Sequence, residues 1–248
     1  MSTAFELSLP PRITFGPGKI DELAGIVGGL GSRVLVVTGG TPTRIDHAVN
    51  PLRADAEALS VVTVSGEPTV DDARAAADAA LAMGADVVVA IGGGSPIDLA
   101  KAAAMLATNG HDPMEFIEVV GRGQPITRAP LPLVAVPTTA GTGAEVTANA
   151  VLAVPEHAVK ASLRNPLMIP QHAVIDPELT LDCPPAVTAA AGMDALIQCL
   201  EPYVSPHANA MTDSWARMGM MAAGRGLVAA YEDGTDLRAR TDMSLCSL

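Results

Sequence analysis

The sequence predicts an α/β protein in which a mainly parallel sheet is followed by an all-helical region. Over the first 180 residues, short β-branched runs alternate with amphipathic helical patterns. Such alternation builds right-handed βαβ units, which place their strands parallel in one sheet. From Pro185 onward the apolar spacing is helical, and we find no strand pattern there. We therefore predict two domains, at residues 1–180 and 181–248.

Five short apolar runs predict the buried strands of this sheet. Each is rich in Val, Ile, Leu or Ala and is bounded by Gly, Pro or polar residues, as expected for strands covered on both faces. The predicted strands are residues 33–38, 61–65, 86–91, 133–136 and 173–175.

The predicted helices follow from apolar residues at helical spacing. Pro184 and Pro185 suit the start of the first helix of the C-terminal region, and Gly234 separates its last two helices. The final pattern stops without a cap or a polar tail, so we expect the chain to end inside a domain. The predicted helices are residues 70–83, 95–108, 186–204, 208–231 and 236–248.

Composition and charge exclude several classes of protein. Hydrophobic residues make up 49% of the 248 residues, which is enough to bury a core and excludes a disordered chain. The net charge of −12 argues against a nucleic-acid partner, which requires a basic surface. We find no apolar run long enough for a membrane span and no signal-peptide layout. Three widely spaced cysteines favour a reducing compartment, so we expect a cytoplasmic protein.

The first candidate site is a glycine-rich turn between the third predicted strand and the following helix. Gly92, Gly93 and Gly94 precede Ser95, and Asp98 follows three residues later. Glycines let the backbone approach a diphosphate, and the N–H groups of a helix start favour anions. A helix capped by Ser95 would account for the residues after the glycines. It would not account for three costly glycines in a row, so we predict a phosphate site.

A second segment, rich in threonine and glycine, follows the predicted strand at 133–136. It reads PTTAGTGAEVT and contains Thr138, Thr139 and Thr142. Threonine hydroxyls can donate hydrogen bonds to phosphate or ribose oxygens. Two interpretations stay open for this segment by itself: a loop that lines a nucleotide, or a polar turn in which a threonine caps a helix.

Asp194 and Gln198 form a third candidate site on the first C-terminal helix. They are four residues apart and therefore share a helix face. Carboxylate and amide oxygens are both hard donors for a divalent ion. The spacing alone favours a simpler interpretation, in which Asp194 interacts with the dipole at the helix start and Gln198 has no special role.

In this order, the three motifs resemble the iron-containing (group III) alcohol dehydrogenase family. GGGSPIDLAK and PTTAGTGAEVT are the most specific signatures, and FGPG, DPELT and GMDAL continue the resemblance over essentially the whole chain. The resemblance implies a Rossmann-like α/β domain followed by a helical metal domain, the dehydroquinate synthase-like architecture. It also implies a homodimer that transfers hydride between a nicotinamide cofactor and a small alcohol or aldehyde.

The resemblance also implies roles for individual residues. The glycine turn would hold the pyrophosphate, the threonines would line the cofactor, and Lys160 would lie near the nicotinamide ribose. Asp194, with Gln198, would bind Fe²⁺ or Zn²⁺, which would act as a Lewis acid. The implied cofactor-binding residues are Gly39, Gly40, Thr41, Gly92, Gly93, Gly94, Ser95, Asp98, Thr138, Thr139, Thr142 and Lys160.

The chain departs from the family at the metal site. Gln198 stands where many members have a histidine as second ligand, and an amide binds iron or zinc more weakly than an imidazole. No histidine of this chain matches the two remaining family ligands, so we expect it to supply at most two of four. We interpret the histidines as surface or packing residues; they are His47, His111, His157, His172 and His207.

The turn after the first predicted strand bears on the choice of cofactor. Many NAD-using members place an Asp there to hold the ribose 2′-hydroxyl, whereas this chain has Gly39, Gly40 and Thr41, with Arg44 nearby. A missing acid together with an available arginine favours a 2′-phosphate, so we predict NADP(H) rather than NAD(H). The alternative is a simple turn with Arg44 in solvent.

Two further functions stay open. The chain can be a nucleotide-binding fragment of such an enzyme without catalytic competence, or it can belong to the maleylacetate reductase or glycerol dehydrogenase branch. We also expect self-association through residues 207–248, because a shortened helical region leaves apolar side chains without partners. The side chains in question are Met218, Met221, Leu227, Val228, Leu237, Met243 and Leu245.

Overall fold

The computed structural model describes residues 4–6, 9–40 and 45–248. Its strands are β1 (Arg12–Phe15), β2 (Arg33–Gly39), β3 (Ala58–Val64), β4 (Val87–Gly92), β5 (Leu133–Pro137), β6 (Asn149–Val154), β7 (Val159–Arg164) and β8 (His172–Ile175). Six of them form one parallel sheet in the order β1-β8-β5-β4-β2-β3. The strands β6 and β7 pair antiparallel as a separate hairpin. The predicted parallel sheet is therefore confirmed.

The first four helices lie between the strands in sequence and cover the two faces of the sheet, and the last three follow the final strand. They are α1 (Leu23–Gly28), α2 (Asp46–Asp55), α3 (Val70–Met83), α4 (Gly94–Asn109), α5 (Pro185–Val204), α6 (Ala210–Glu232) and α7 (Leu237–Ser247). No strand follows β8 in the described chain, as the apolar spacing predicted. Among the described helices, none combines the length and apolar character that a membrane crossing requires.

The sheet is buried on both sides because successive side chains of its strands alternate between two cores. Leu35 and Val88 point into the core shared with α3 and α4. Val34 and Val87, one residue earlier on the same strands, point into the core shared with α1 and α2. Central strands buried on both faces explain the continuous apolar runs seen in the sequence.

The three C-terminal helices pack through small residues. A Cβ added to Gly192 of α5 would lie 2.3 Å from Leu227 Cδ1, and one added to Gly226 of α6 would lie 2.8 Å from Ala239 O. These glycines therefore let the helices approach closely. The buried Arg240 of α7 donates to Thr188 Oγ1 at 2.7 Å, which ties α7 to the start of α5.

Some of the apolar side chains in this region are buried and others are exposed. Met243 is buried between the helices, and Leu227 and Leu245 pack against the same cluster, so the expectation that they lack partners is wrong. They find partners because α7 packs against both α5 and α6. Met218, Met221 and Val228 are exposed, as expected.

Several elements were not predicted. The strand β1 is a four-residue edge strand behind Pro10 and Pro11, and the β6–β7 hairpin lies beside α4 rather than in the sheet. The helices α1 and α2 cover one sheet face and were also missed. The last strand of the sheet ends at Ile175 and α5 begins at Pro185; a domain boundary near residue 180 stays a prediction.

Candidate functional site

A cleft of about 810 Å³ lies at the carboxyl edge of the parallel sheet. This edge is where open α/β sheets bind their ligands, because the loops after neighbouring strands diverge there. The start of α5 supplies a further part of its wall through Pro184 and Val187. The sheet-edge loops contribute Gly39, Gly40, Ser65, Gly66, Gly92, Gly93, Ser95, Thr138 and Thr139.

The glycine turn joins β4 directly to α4. The helix begins at Gly94 with Gly93 as its N-cap, and no described side chain caps it. The expectation that Ser95 is the N-cap is therefore wrong, because Ser95 already lies inside the first turn. A helix start without a side-chain cap leaves its first N–H groups available to an anion, and Gly93 and Ser95 both line the cleft.

Close packing also favours glycine at each of the three positions of the turn. A Cβ on Gly92 would lie 2.6 Å from Pro96 Cγ, which is closer than real side chains approach. A Cβ on Gly93 would lie 3.2 Å from Thr139 Oγ1, and one on Gly94 would lie 2.9 Å from Thr142 Cγ2. The glycines thus bring the glycine turn and the threonine-rich segment into direct contact.

The two motifs are further joined along their backbones. The amide of Thr138 donates to the carbonyl of Gly92 at 2.9 Å, just beyond the ladder between β4 and β5. Thr138 and Thr139 are half-buried at the cleft, whereas Thr142 is exposed and accepts a hydrogen bond from Ala144 N at 3.3 Å. The structure therefore brings Thr138 and Thr139 to the cleft and uses Thr142 within its own loop.

Lys101 of α4 is buried, and its ammonium group bonds to the chain between the threonine-rich segment and β6. Its ammonium is buried in the body of α4 and donates to Thr147 O at 2.8 Å, to Thr147 Oγ1 at 2.9 Å and to Asn149 O at 3.0 Å. These bonds hold the end of the threonine-rich segment and the start of β6 against α4. Desolvation lowers the pKa of Lys101 to about 8, although the nearby Asp98 and Glu145 oppose the shift.

Two carboxyl groups surround this lysine. Asp98 accepts a hydrogen bond from Val151 N at 3.1 Å, and burial raises its pKa to about 6. Glu145 is buried, and desolvation raises its pKa to about 7. Asp98 does not appear among the described residues that line the cleft. The structure thus places it against β6 rather than beside Ser95.

Lys160 lies on β7, beside the loop that follows β3. Its Nζ is 2.9 Å from Glu67 Oε1, and both side chains are exposed. The adjoining residues Ser65 and Gly66 line the cleft. Lys160 is therefore paired with a carboxylate next to these residues in sequence, and it is not among the described residues that line the cleft.

The candidate metal residues do not form a complete site. Gln198 donates from Nε2 to Gly141 O at 3.3 Å, so its amide binds the threonine-rich segment, while Asp194 is exposed. No group of three or more His, Cys, Asp or Glu residues in the described chain is arranged to hold a metal ion. Asp194 and Gln198 by themselves would supply two oxygen ligands, fewer than the four of a closed metal site.

The remaining sequence predictions fall in two groups. Gly39 and Gly40 line the cleft at the end of β2, whereas Thr41 and Arg44 lie outside the described residues. Sequence reasoning did not single out Ser65 and Gly66 as site residues, although Ser65 ends the predicted strand at 61–65 and Gly66 follows it. Residues after a strand of a parallel sheet are the signal that could have found them.

The fold and the cleft define a class of protein: a Rossmann-like α/β unit with a glycine-rich strand-to-helix turn, joined to a helical region. The profile described as "Iron-containing alcohol dehydrogenase" matches residues 10–177, and "Fe-containing alcohol dehydrogenase family, C-terminal" matches residues 188–248. The chain belongs to the iron-containing alcohol dehydrogenase family. This confirms the resemblance inferred from the three motifs.

Individual relatives agree with this assignment. The chain is 35% identical to alcohol dehydrogenase 4 of Saccharomyces cerevisiae, over 98% of this chain and 64% of the relative. It is also 35% identical to long-chain-alcohol dehydrogenase 1 of Geobacillus thermodenitrificans, over 98% and 62%. The crystal structure of sulfoacetaldehyde reductase from Bifidobacterium kashiwanohense in complex with NAD⁺ matches with a TM-score of 0.91 and 32% identity, over 99% and 65%. The chain thus spans about two thirds of the length of these relatives or slightly less.

Proposed function

We propose that this chain binds a nicotinamide dinucleotide in the cleft, as part of an oxidoreductase that interconverts a small alcohol and an aldehyde. The observation that carries the proposal is the contact between the glycine turn at Gly92–Gly94 and the threonine-rich segment at the edge of the cleft. The relatives' names, which include alcohol dehydrogenases and an aldehyde reductase, support the reaction class.

The chain's own residues would hold the cofactor through neutral groups. The backbone N–H groups at Gly93, Gly94 and Ser95 would donate to the pyrophosphate, where the positive end of α4 favours its charge. The hydroxyls of Thr138 and Thr139 would donate to further oxygens of the cofactor. Lys160 would reach the ribose only by leaving Glu67, which an exposed ion pair permits at little cost. The bound nicotinamide supplies the hydride chemistry.

We further propose that the cofactor is NADP(H). The strand β2 ends at Gly39, and Gly39 and Gly40 line the cleft but carry no carboxylate that could hold a ribose 2′-hydroxyl. Comparing the dissociation constants of NADPH and NADH by cofactor fluorescence tests this choice. Tighter binding of NADH would overturn it.

A second candidate function is dinucleotide binding without turnover. It is favoured by the incomplete set of metal ligands among the described residues, since Gln198 is engaged with Gly141. In this case the cleft would be occupied by the cofactor but would lack the Lewis acid that the family name implies.

Aldehyde-dependent oxidation of NADPH and NADH separates the two candidates. The 248-residue chain would be assayed anaerobically with Fe²⁺ or Zn²⁺, beside Asp194→Ala and the control Glu201→Ala, which alters another exposed carboxylate of α5. Turnover that is lost only in Asp194→Ala supports the dehydrogenase. Binding without turnover supports the second candidate, and absence of cofactor binding overturns both.

A further inference from the structure

Two cysteines from different helices meet beneath the outer surface of the helical region. Cys199 of α5 and Cys246 of α7 have their sulfur atoms 3.9 Å apart, and the Cys199 thiol donates to Cys246 O at 3.4 Å. We propose that Cys199 and Cys246 form an oxidative modification site, a dithiol that a hydroperoxide converts into a disulfide joining α5 to α7. The inference does not depend on cofactor binding.

The helix α6 packs against both α5 and α7 and leaves room for the two sulfur atoms. A Cβ on Gly219 of α6 would lie 2.4 Å from Cys199 Sγ and 3.4 Å from Cys246 O. Any side chain at this position would therefore push the Cys199 thiol aside. With the two sulfur atoms 3.9 Å apart, the proposed bond requires them to approach to the S–S bond length of about 2 Å.

The two thiols differ in their access to solvent. Cys199 is half-buried and Cys246 is buried, and both line an apolar pocket of about 450 Å³ that Trp215 and Met218 also border. A small neutral hydroperoxide can enter such a pocket without the free-energy cost of removing a charge from water. Cys199 is therefore placed to react first with the hydroperoxide, with Cys246 as the resolving thiol beside it.

The reaction balances in two steps. The sulfur of Cys199 attacks one peroxide oxygen and the O–O bond breaks, which gives a sulfenic acid and releases water or an alcohol. The sulfur of Cys246 then attacks the sulfenic sulfur, the S–O bond breaks, and a second oxygen leaves as water while the S–S bond forms. The two sulfurs together lose two electrons, which the peroxide gains. Two molecules of a small thiol reverse the change by disulfide exchange and are themselves joined in a disulfide.

The disulfide would restrain the part of the chain that is held together by small residues. It would close a loop between two cysteines that are 47 positions apart in sequence, and closing a loop lowers the entropy of the unfolded chain. The bond would also lie one residue from Gln198, whose amide contacts the threonine-rich segment. Oxidation is thus expected to raise the thermal stability of the helical region.

Peroxide treatment of the 248-residue chain tests the proposal. After treatment and alkylation, mass spectrometry should show two protected thiols, a 199–246 linked peptide, and an alkylated Cys183. The thermal midpoint should rise and return after reduction. The linked peptide should persist in Cys183→Ser and disappear in Cys199→Ser and in Cys246→Ser.

Three outcomes would overturn it. They are a disulfide that includes Cys183, an intermolecular disulfide, and a sulfinic acid on Cys199 beside an alkylated Cys246. Since Cys183 lies in the loop before α5 and lines the cofactor cleft instead of the apolar pocket, it serves as an internal control for thiol reactivity. Its continued alkylation shows that oxidation depends on the pairing of the two other cysteines.

Discussion

The α/β part and the helical part of this chain differ in which apolar side chains they bury. The sheet is covered on both faces, so large branched side chains such as Leu35, Ile91 and Leu99 are fully buried. The helical part has a core made mostly of alanines and leaves large side chains outside. The exposed ones are Val187, Met193, Ile197, Leu200, Tyr203, Val204, Met211, Trp215, Met218, Met221, Val228, Tyr231 and Leu248.

The two parts therefore differ in their expected contributions to stability and to binding. The α/β part has its own core and also carries the cleft, so its folding and its ligand site depend on the same contacts. The helical part exposes more large apolar side chains than the α/β part, and exposed apolar residues that cluster mark interaction surfaces. We therefore expect substitutions in the α/β part to be costly and substitutions on the outer helices to alter association instead.

The largest effect is expected at Lys101. Lys101→Met leaves Thr147 O and Asn149 O without their donor and removes the cation between Asp98 and Glu145. The free energy of unfolding should fall by about 3–5 kcal/mol, as when one partner of a buried polar network is removed. Denaturant unfolding measures it. Lys160→Met, which removes an exposed ion pair, should cost less than about 1 kcal/mol, and an equal loss in both variants would contradict the account.

The glycine turn is the next most sensitive position. Gly92→Ala forces a Cβ to within 2.6 Å of Pro96 Cγ, so α4 must shift away from β4. We expect a loss of about 1–3 kcal/mol, in line with overpacking, together with weaker dinucleotide binding. The matched control is Gly224→Ala on α6, where nothing lies within 4 Å. That variant should gain up to about 1 kcal/mol from helix propensity; a loss there would show that the outer helices are as tightly packed as the sheet.

The outer helical face should control association. Met218 and Met221 are 54% and 64% exposed on α6. We expect the chain to self-associate through this face, and Met218→Gln with Met221→Gln to weaken the association by about 1.5–3 kcal/mol for each of the two side chains that the association fully buries. Light scattering across a concentration series measures this. A monodisperse monomer of the unsubstituted chain would remove the basis for the comparison.

The smallest effect concerns pH. Burial raises the pKa of Glu145 from its ordinary 4.5 to about 7, so the folded protein binds this proton more tightly than the unfolded chain. Its contribution to the free energy of unfolding therefore falls as pH rises between these two values and is constant above them. Glu145→Gln should stabilise the protein by about 1–2 kcal/mol more at about pH 8 than at about pH 4. The exposed Glu201→Gln should show no such difference, and parallel pH profiles would contradict the assignment.

Local signals predicted much of the α/β fold. The strand β4, its glycine turn and α4 are continuous in sequence, so their apolar runs and glycines could be interpreted without distant contacts. The hairpin of β6 and β7 was missed because β6 is apolar on both faces and shows no alternation, although its side chains alternate in burial. The edge strand β1 was missed since its pairing with β8 joins residues far apart in sequence.

The site was predictable where the backbone forms it and less so where side chains meet. The glycine turn and Thr138–Thr139 were identified from sequence, and both reach the cleft. The roles of Asp98 and Lys101 could not be predicted from the sequence. Their hydrogen-bond partners lie on β6 and in the loop before it, about 50 residues away along the chain. The exposed outer face of α6 was expected, whereas the burial of Met243 required the packing of α7 to be known.

The central claim is that the cleft at the carboxyl edge of the sheet binds the dinucleotide. Thr139→Val removes one hydroxyl from the cleft with little change in volume, whereas Thr241→Val removes a hydroxyl that bonds Leu237 O within α7. Fluorescence titration with NADPH should show binding that is about tenfold weaker in Thr139→Val, as expected for one lost hydrogen bond to a charged group, and unchanged in Thr241→Val. Equal affinity in all three proteins, or no binding by the unsubstituted chain, would contradict the claim.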